Sequence, residues 1–176
     1  DAANAVHDGT DAVMLSGETA NGEYPTAAVK IMAETCVEAE SAINNDNLYS
    51  AIRNSTLEKF GHLSTSESIA SSAVKTAIDV GAKAIVVCSE SGATAQQIAK
   101  FRSGRLVSVL TTQERVARQC YGVMKGCEAS VLTSLCIKTK VLWLLEFAPR
   151  IVCIPRAVSD RKSLHISAAI GLCDDS

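Results

Sequence analysis

The chain has 176 residues, 47% of them hydrophobic and 20% charged, and its 17 basic against 19 acidic side chains leave a formal charge of −2. A chain of this length buries roughly 70% of its unfolded surface, enough for a core without staples, and the apolar fraction excludes a disordered tail. The near-neutral balance offers no electrostatic footprint for nucleic acid, and no run of about 18 uninterrupted apolar residues is present to span a membrane.

The opening DAANAVHDG reads as a helix that ends at Gly9, a residue suited to the left-handed turn that closes helices. It starts on Asp1 rather than Met and looks like helix interior, so the chain is expected to begin inside a larger protein. The apolar run from Asp11 to Leu15 is a candidate buried strand. A loop rich in Gly and small polar residues follows, SGETANGEYP, with Pro25 placed for the first turn of the next helix. Ala28, Ile31, Met32, Thr35, Cys36 and Ala39 then recur at helical spacing. Met14 and Met32 are expected in the core. From Ser41 to Gly61 that pattern is lost, and the Asn cluster marks a boundary between two packed units.

The second unit restarts at Ser64, where Ser64-x-x-Glu67 has capping-box spacing. Ile69, Ala70, Ala73, Val74 and Ala77 make an apolar stripe that stops at Gly81. The β-branched run AKAIVVCS reads as a strand, SGATAQQIAKFR as a loop and helix, LVSVLTT as a second strand, QERVARQCYGVMKG as a helix and EASVLTSL as a third strand. Strands alternating with helices at this spacing predict a parallel sheet with crossover helices.

After Leu132 the character changes. No glycine occurs between Gly126 and Gly171, and the stretch from Ala129 to Cys173 holds six Lys and Arg against two acids. Only short apolar segments at Val141 to Phe147 and Arg150 to Ile154 can be placed there. Five of the seven cysteines lie from Cys120 onward, and none stands in a CxxC pair. No zinc framework is expected, and an odd count with irregular gaps favours a reducing compartment over a secreted disulfide scaffold. His7, His62 and His165 are isolated, which leaves a protease-like triad without support.

In parallel α/β folds ligands gather at the carboxyl ends of strands, so two loops attract attention. Ser16-Gly17-Glu18-Thr19-Ala20-Asn21-Gly22 has G-x-x-x-x-G spacing, but Glu23-Tyr24 stands where a phosphate-binding P-loop needs Lys-Ser/Thr. Ser16 and Glu18 are either turn residues or hydrogen-bonding groups at an active-site mouth. The second loop, Ser89-Glu90-Ser91-Gly92-Ala93-Thr94, offers three hydroxyls at a helix start. It either holds a phosphate, with the helix amides as donors, or is ordinary N-capping by Thr94 or Ser91.

The stretch DAANAVHDGTDAVMLSGETANGEYPTAAVKIMAETCVEAE closely resembles the pyruvate kinase family, in which a helix, the last barrel strand, an LSGETA-G-YP loop and a final barrel helix follow one another. SIASSAVKTAIDVGAKAIVVCSESGATAQQIAKFR and VSVLTTQERVARQCYGVMKGCEASVL resemble the start of that family's C-terminal domain in the same order. The resemblance implies an α/β chain: the end of a (β/α)8 TIM barrel, then a partial three-layer α/β C-terminal domain with a mainly parallel sheet. Residues 1–45 are read as the barrel end, 46–63 as a linker, 64–132 as the partial C-terminal domain and 133–176 as a tail outside the family pattern, such as a frameshift, an intron read-through or an alternative exon would leave.

The resemblance also implies a function. The family transfers the phosphoryl group of phosphoenolpyruvate to ADP, giving pyruvate and ATP in glycolysis, with Mg2+ and K+ whose ligands lie on earlier barrel strands. By that likeness Ser16 and Glu18 support the active-site water and proton network. Ser89, Ser91 and Thr94 match the hydroxyl loop that grips a phosphate of a sugar-phosphate effector, although Glu90 and Ala93 depart from the family's usual residues there. Ser103 stands where the family usually has Pro. A cytoplasmic homotetramer is implied for the full-length enzyme, and this chain alone is expected to be inactive. The alternative is a non-catalytic anion-binding or assembly module derived from the C-terminal domain.

Overall fold

A computed structural model describes residues 1–133 together with the strand segments 151–154 and 169–171. The expected apolar segment at 141–147 and His165 lie outside the described residues. The chain divides into two compact units, Asp1–Asn44 and Asn45–Ser176. The division falls inside the Asn cluster.

The first unit contains α1 (Ala2–His7), α2 (Gly17–Ala20) and α3 (Pro25–Ser41). Gly9 closes α1 with φ +90, and Pro25 occupies the start of α3, where its missing N–H costs no hydrogen bond. α1 packs on α3, yet the core is thin: Val6 and Ala39 are its buried apolar residues, while Val29, Ile31 and Val37 of α3 are exposed. The strand expected at 11–15 does not form. A strand is stable only when a neighbour takes its backbone hydrogen bonds, and none of the described residues of this unit supplies one. Met14, expected in the core, is 85% exposed for the same reason. Met32 is half-buried.

The second unit opens with α4 (Asn45–Phe60) and α5 (Thr65–Asp79), followed by β1 (Ala84–Cys88), α6 (Ala93–Lys100), β2 (Leu106–Thr111), α7 (Glu114–Val123), β3 (Cys127–Val131), β4 (Ile151–Ile154) and β5 (Ala169–Gly171). The stretch 46–63, expected to be a linker, is therefore mostly helix. Tyr49 is buried, sets its ring 5.9 Å from that of Phe101 and joins its hydroxyl to Ser71 Oγ at 2.8 Å. These contacts are distant in sequence, so the local pattern could not reveal them. At the start of α4, the Asn45 side chain lies over Gly104, where a Cβ would sit 2.4 Å from its Nδ2.

The capping box at α5 is present: Ser64 Oγ accepts the Glu67 N–H at 3.2 Å, and Glu67 Oε2 accepts the Ser64 N–H at 3.1 Å. Glu67 Oε1 also accepts from Lys100 Nζ at 2.7 Å, tying the end of α6 to the start of α5.

The sheet order is β3-β2-β1-β4-β5, with β1 to β4 parallel and β5 antiparallel to β4. β1 is central, and its consecutive Ile85, Val86, Val87 and Cys88 are all buried, as a parallel strand covered on both faces requires. Phe101, Ile98, Val74, Val107, Val109 and Val116 complete the core. Each side chain of this kind contributes roughly 1.5–3 kcal/mol when removed from water. In β1 the register Cys88↔Leu110 sets the carboxyl ends of β1 and β2 side by side.

Candidate functional site

The first loop is built on Ser16. Its carbonyl accepts the N–H of Ala20 at 3.0 Å and of Thr19 at 3.3 Å, and Thr19 Oγ1 donates to the same oxygen at 3.2 Å. Its own N–H donates to Glu18 Oε2 at 3.0 Å. The backbone of Ser16 is thus fixed from three sides, while its hydroxyl has no partner among the described residues. Backbone N–H groups, that of Glu18 itself first and that of Ser16 second, hold the Glu18 carboxyl below the ordinary carboxylate range. Glu18 is therefore an ionised acceptor at neutral pH. It can orient a hydroxyl or a water but is a weak proton source.

The glycine spacing of this loop has a steric meaning. A Cβ on Gly22 would lie 2.2 Å from the Glu18 carbonyl oxygen, so only glycine lets the chain fold back over Glu18 before Pro25 starts α3. Nothing lies within 4 Å of a Cβ on Gly17.

The second loop joins β1 to α6. The Ser89 N–H donates to the Leu110 carbonyl at 3.0 Å, extending the β1–β2 ladder by one residue. Ser89 is 4% exposed, and its Oγ accepts the Gly92 N–H at 3.0 Å, so this hydroxyl shapes the loop from within. Ser91 is exposed, and its Oγ meets the Ala93 N–H at 3.4 Å. The N-cap of α6 is Gly92, with φ 80, rather than Ser91 or Thr94. A Cβ there would press on Val116 Cγ1 at 3.1 Å and Met124 Cε at 3.2 Å. The amides of Thr94 and Ala95 have no partner among the described residues, so two donors and the hydroxyls of Ser91 and Thr94 share one helix start. This is the arrangement that accepts an oxyanion, with the exposed Glu90 beside it as an opposing charge.

Thr111 to Gln113 were not singled out in the sequence. Thr111 is fully buried at the end of β2, and its Oγ1 accepts the Gln113 N–H at 3.1 Å, which turns the chain toward α7 beside the 89–94 loop. The available signal was the second parallel strand itself, because adjacent carboxyl ends bring their loops together. Ser103, at the position where the family usually has Pro, is buried and accepts the Arg105 N–H at 3.2 Å.

Comparison with known proteins places both loops in one family. The pyruvate kinase alpha/beta domain model matches residues 67–158, more than half of the chain, and the pyruvate kinase barrel domain model matches residues 1–29. The chain belongs to the pyruvate kinase family. The pyruvate kinase of Agaricus bisporus is 44% identical over 127 residues, covering 72% of this chain and 23% of that protein. The cytosolic isozyme of Solanum tuberosum is 50% identical over 117 residues, 64% of this chain and 22% of that protein. The solved pyruvate kinase of Cryptosporidium parvum in complex with ADP superposes with a TM-score of 0.82 at 34% identity, over 97% of this chain and 35% of that one. The chain thus spans under a quarter of the length of these two curated pyruvate kinases.

The family match continues to residue 158, past the limit expected at Leu132, and β4 joins the parallel sheet beyond that limit. The expectation that family likeness stops at Leu132 is corrected accordingly. Composition changed there, but strand pairing tolerates wide changes in composition.

Proposed function

We propose that this chain is the part of a pyruvate kinase that ends the barrel and builds the C-terminal α/β domain, in an enzyme that moves the phosphoryl group of phosphoenolpyruvate to ADP. The observation that carries this reading is the Ser16–Glu18 loop: an ionised carboxylate locked onto the Ser16 amide, with a free hydroxyl beside it, in a segment matched by the barrel model. Phosphoryl transfer leaves an enolate that must gain a proton. Glu18 orients, and Ser16 donates to and accepts from, the water that delivers it. Because Glu18 is held ionised, its role is to position that water; the proton itself comes from elsewhere in the network.

Mg2+ and K+ supply charge neutralisation to the transferring phosphoryl group in this reading. A single carboxylate offers too few oxygen donors for a divalent ion, and no group of three or more His, Cys, Asp or Glu is gathered among the described residues. By the family resemblance, the metal ligands are assigned to earlier barrel strands and the isolated chain to inactivity. Ser91 and Thr94, with the Thr94 and Ala95 amides, take a phosphate of a sugar-phosphate effector, and Ser89 holds their loop. Assembly as a cytoplasmic homotetramer belongs to the same proposal, supported by the likeness to a cytosolic isozyme.

The test joins this chain to the preceding barrel of the potato cytosolic isozyme and follows pyruvate formation in a coupled assay. The chimera is expected to turn over, the chain alone is not, and Glu18→Gln in the chimera is expected to lower kcat by about 10- to 100-fold with KM for phosphoenolpyruvate little changed. Turnover by the chain alone overturns the assignment of the metal ligands. A Glu18→Gln chimera with undiminished kcat overturns the role of the loop.

A further inference from the structure

Between α4 and α5, on the second unit, lies a groove of about 490 Å³ that neither loop uses. Its walls include Arg53 and Asn54 of α4 and Ser68 and Ser72 of α5, and its apolar surface comes from Tyr49 and Leu63. The polar groups divide into two sets. Ser50 Oγ donates to the Asp46 carbonyl, Thr76 Oγ1 donates to the Ser72 carbonyl, and Ser71 Oγ is joined to the Tyr49 hydroxyl. The Lys75 ammonium is held by Asp79 one turn away. These groups are already engaged by the fold.

The Arg53 guanidinium, the Asn54 amide and the Ser68 and Ser72 hydroxyls have no hydrogen-bond or ion-pair partner among the described residues. Arg53 is half-buried. A guanidinium partly withdrawn from water without an acceptor is unfavourable, and its fork of donors is matched by the paired oxygens of a phosphate or carboxylate. Ser68 and Ser72 stand four residues apart on one face of α5 and add hydroxyl donors to the same space. The volume falls in the range of small-molecule sites and exceeds what a bare oxyanion fills. Tyr49 and Leu63 provide a surface for the remainder of a ligand.

We propose that the groove between α4 and α5 binds a small polar molecule through one oxyanion group, phosphate or carboxylate, seated on Arg53 with Asn54, Ser68 and Ser72 as hydrogen-bonding partners. The site is separate from the 89–94 loop. It recognises the oxyanion by the Arg53 fork and the rest of the molecule by shape.

The test is an amide and arginine side-chain NMR titration of the 176-residue chain at low ionic strength with inorganic phosphate, acetate and glycerol phosphate, against sodium chloride at matched ionic strength. Saturable shifts are expected at the Arg53 Nε–H and the amides of residues 50–54 and 68–72, with glycerol phosphate binding more tightly than inorganic phosphate. Stronger response to phosphate or to acetate identifies the oxyanion. Arg53→Gln is expected to weaken binding by about tenfold or more, the effect of losing a charge-assisted hydrogen bond. If Arg53→Gln does not give a folded spectrum, Arg53→Lys, which keeps the charge and loses the fork, is read by the same criterion. Shifts confined to residues 91–95, shifts matched by chloride, or binding unchanged in the Arg53 variant overturn the proposal. So do groove signals that follow protein concentration instead of ligand, because a second copy of the chain then fills the groove.

Discussion

Gly92→Ala isolates the backbone demand at the start of α6. Gly92 has φ 80, a conformation that costs a residue bearing a Cβ roughly 1–2 kcal/mol. The new methyl would also sit 3.1 Å from Val116 Cγ1 and 3.2 Å from Met124 Cε. Met124 is flexible and can withdraw its terminal methyl, but Val116 is stiff and only 1% exposed, so part of the overpacking, typically about 1–3 kcal/mol, remains. The two contributions together give about 2–4 kcal/mol. Urea unfolding followed by circular dichroism should show the midpoint falling by about 1–2 M, taking m near 2 kcal/mol/M. Gly122→Ala serves as the opposite-signed control: Gly122 lies within α7, is exposed, and a Cβ there meets nothing within 4 Å. It should stabilise by about 0.5 kcal/mol through helix propensity alone. A Gly92→Ala midpoint equal to the unsubstituted chain's would refute the account of this loop, and so would equal effects of the two substitutions.

Further outcomes follow from the same packing. The Lys100 ammonium first, and then the Ser64 N–H and hydroxyl, lower the Glu67 carboxyl to about 2 from an ordinary value of 4.5. A depressed carboxyl binds fewer protons folded than unfolded, so its stabilisation is complete above about pH 4.5 and is lost as pH falls through about 2. Melting temperature measured from pH 7 to pH 2 should therefore fall less steeply below pH 4.5 in Lys100→Met than in the unsubstituted chain, and an identical slope would contradict the ion pair. Ser64→Ala should cost about 1 kcal/mol by removing the α5 cap, read from the same urea curves. Phe101→Ala should cost about 3–5 kcal/mol, because Phe101 is fully buried against Tyr49; a loss under about 1 kcal/mol would mean that α4 does not dock as described. Burial raises the Cys88 and Cys120 thiols above their ordinary range, whereas Cys36 is half-exposed on α3. Mass-resolved thiol labelling should modify Cys36 before Cys88 and Cys120, and the reverse order would place the core elsewhere.

Much of the second unit was legible because its signals are local. A capping box needs only residues three apart, so Ser64 and Glu67 announce α5 by themselves. The β-branched run at Ala84–Cys88 with a glycine-containing loop after it predicts a buried strand and a turn into the next helix, and both are present. The same locality exposed the Ser16–Glu18 and Ser89–Thr94 loops as candidates, without revealing that the Ser89 hydroxyl turns inward to Gly92. That choice depends on where β2 places Leu110 and where α7 places Val116, which no local pattern encodes.

The sequence by itself determined the alternation of strand and helix from Ala84 to Val131, the helix starts at Pro25 and Ser64, and the family to which the motifs point. Only tertiary structure decided three other matters. The run Asp11 to Leu15 has the composition of a strand but no neighbour to take its hydrogen bonds among the described residues, so it stays irregular. Asn45–Phe60 lacks a strong apolar stripe yet is a helix, because Tyr49 finds Phe101 and Ser71 across the unit. Beyond Leu132, the apolar segment at Arg150 to Ile154 is legible in the sequence, but its place beside β1 as β4 is set only by strand pairing. Periodicity and capping report interactions within a few residues, whereas a buried tyrosine, a missing neighbour or a strand partner dozens of residues away exists only once the chain has folded.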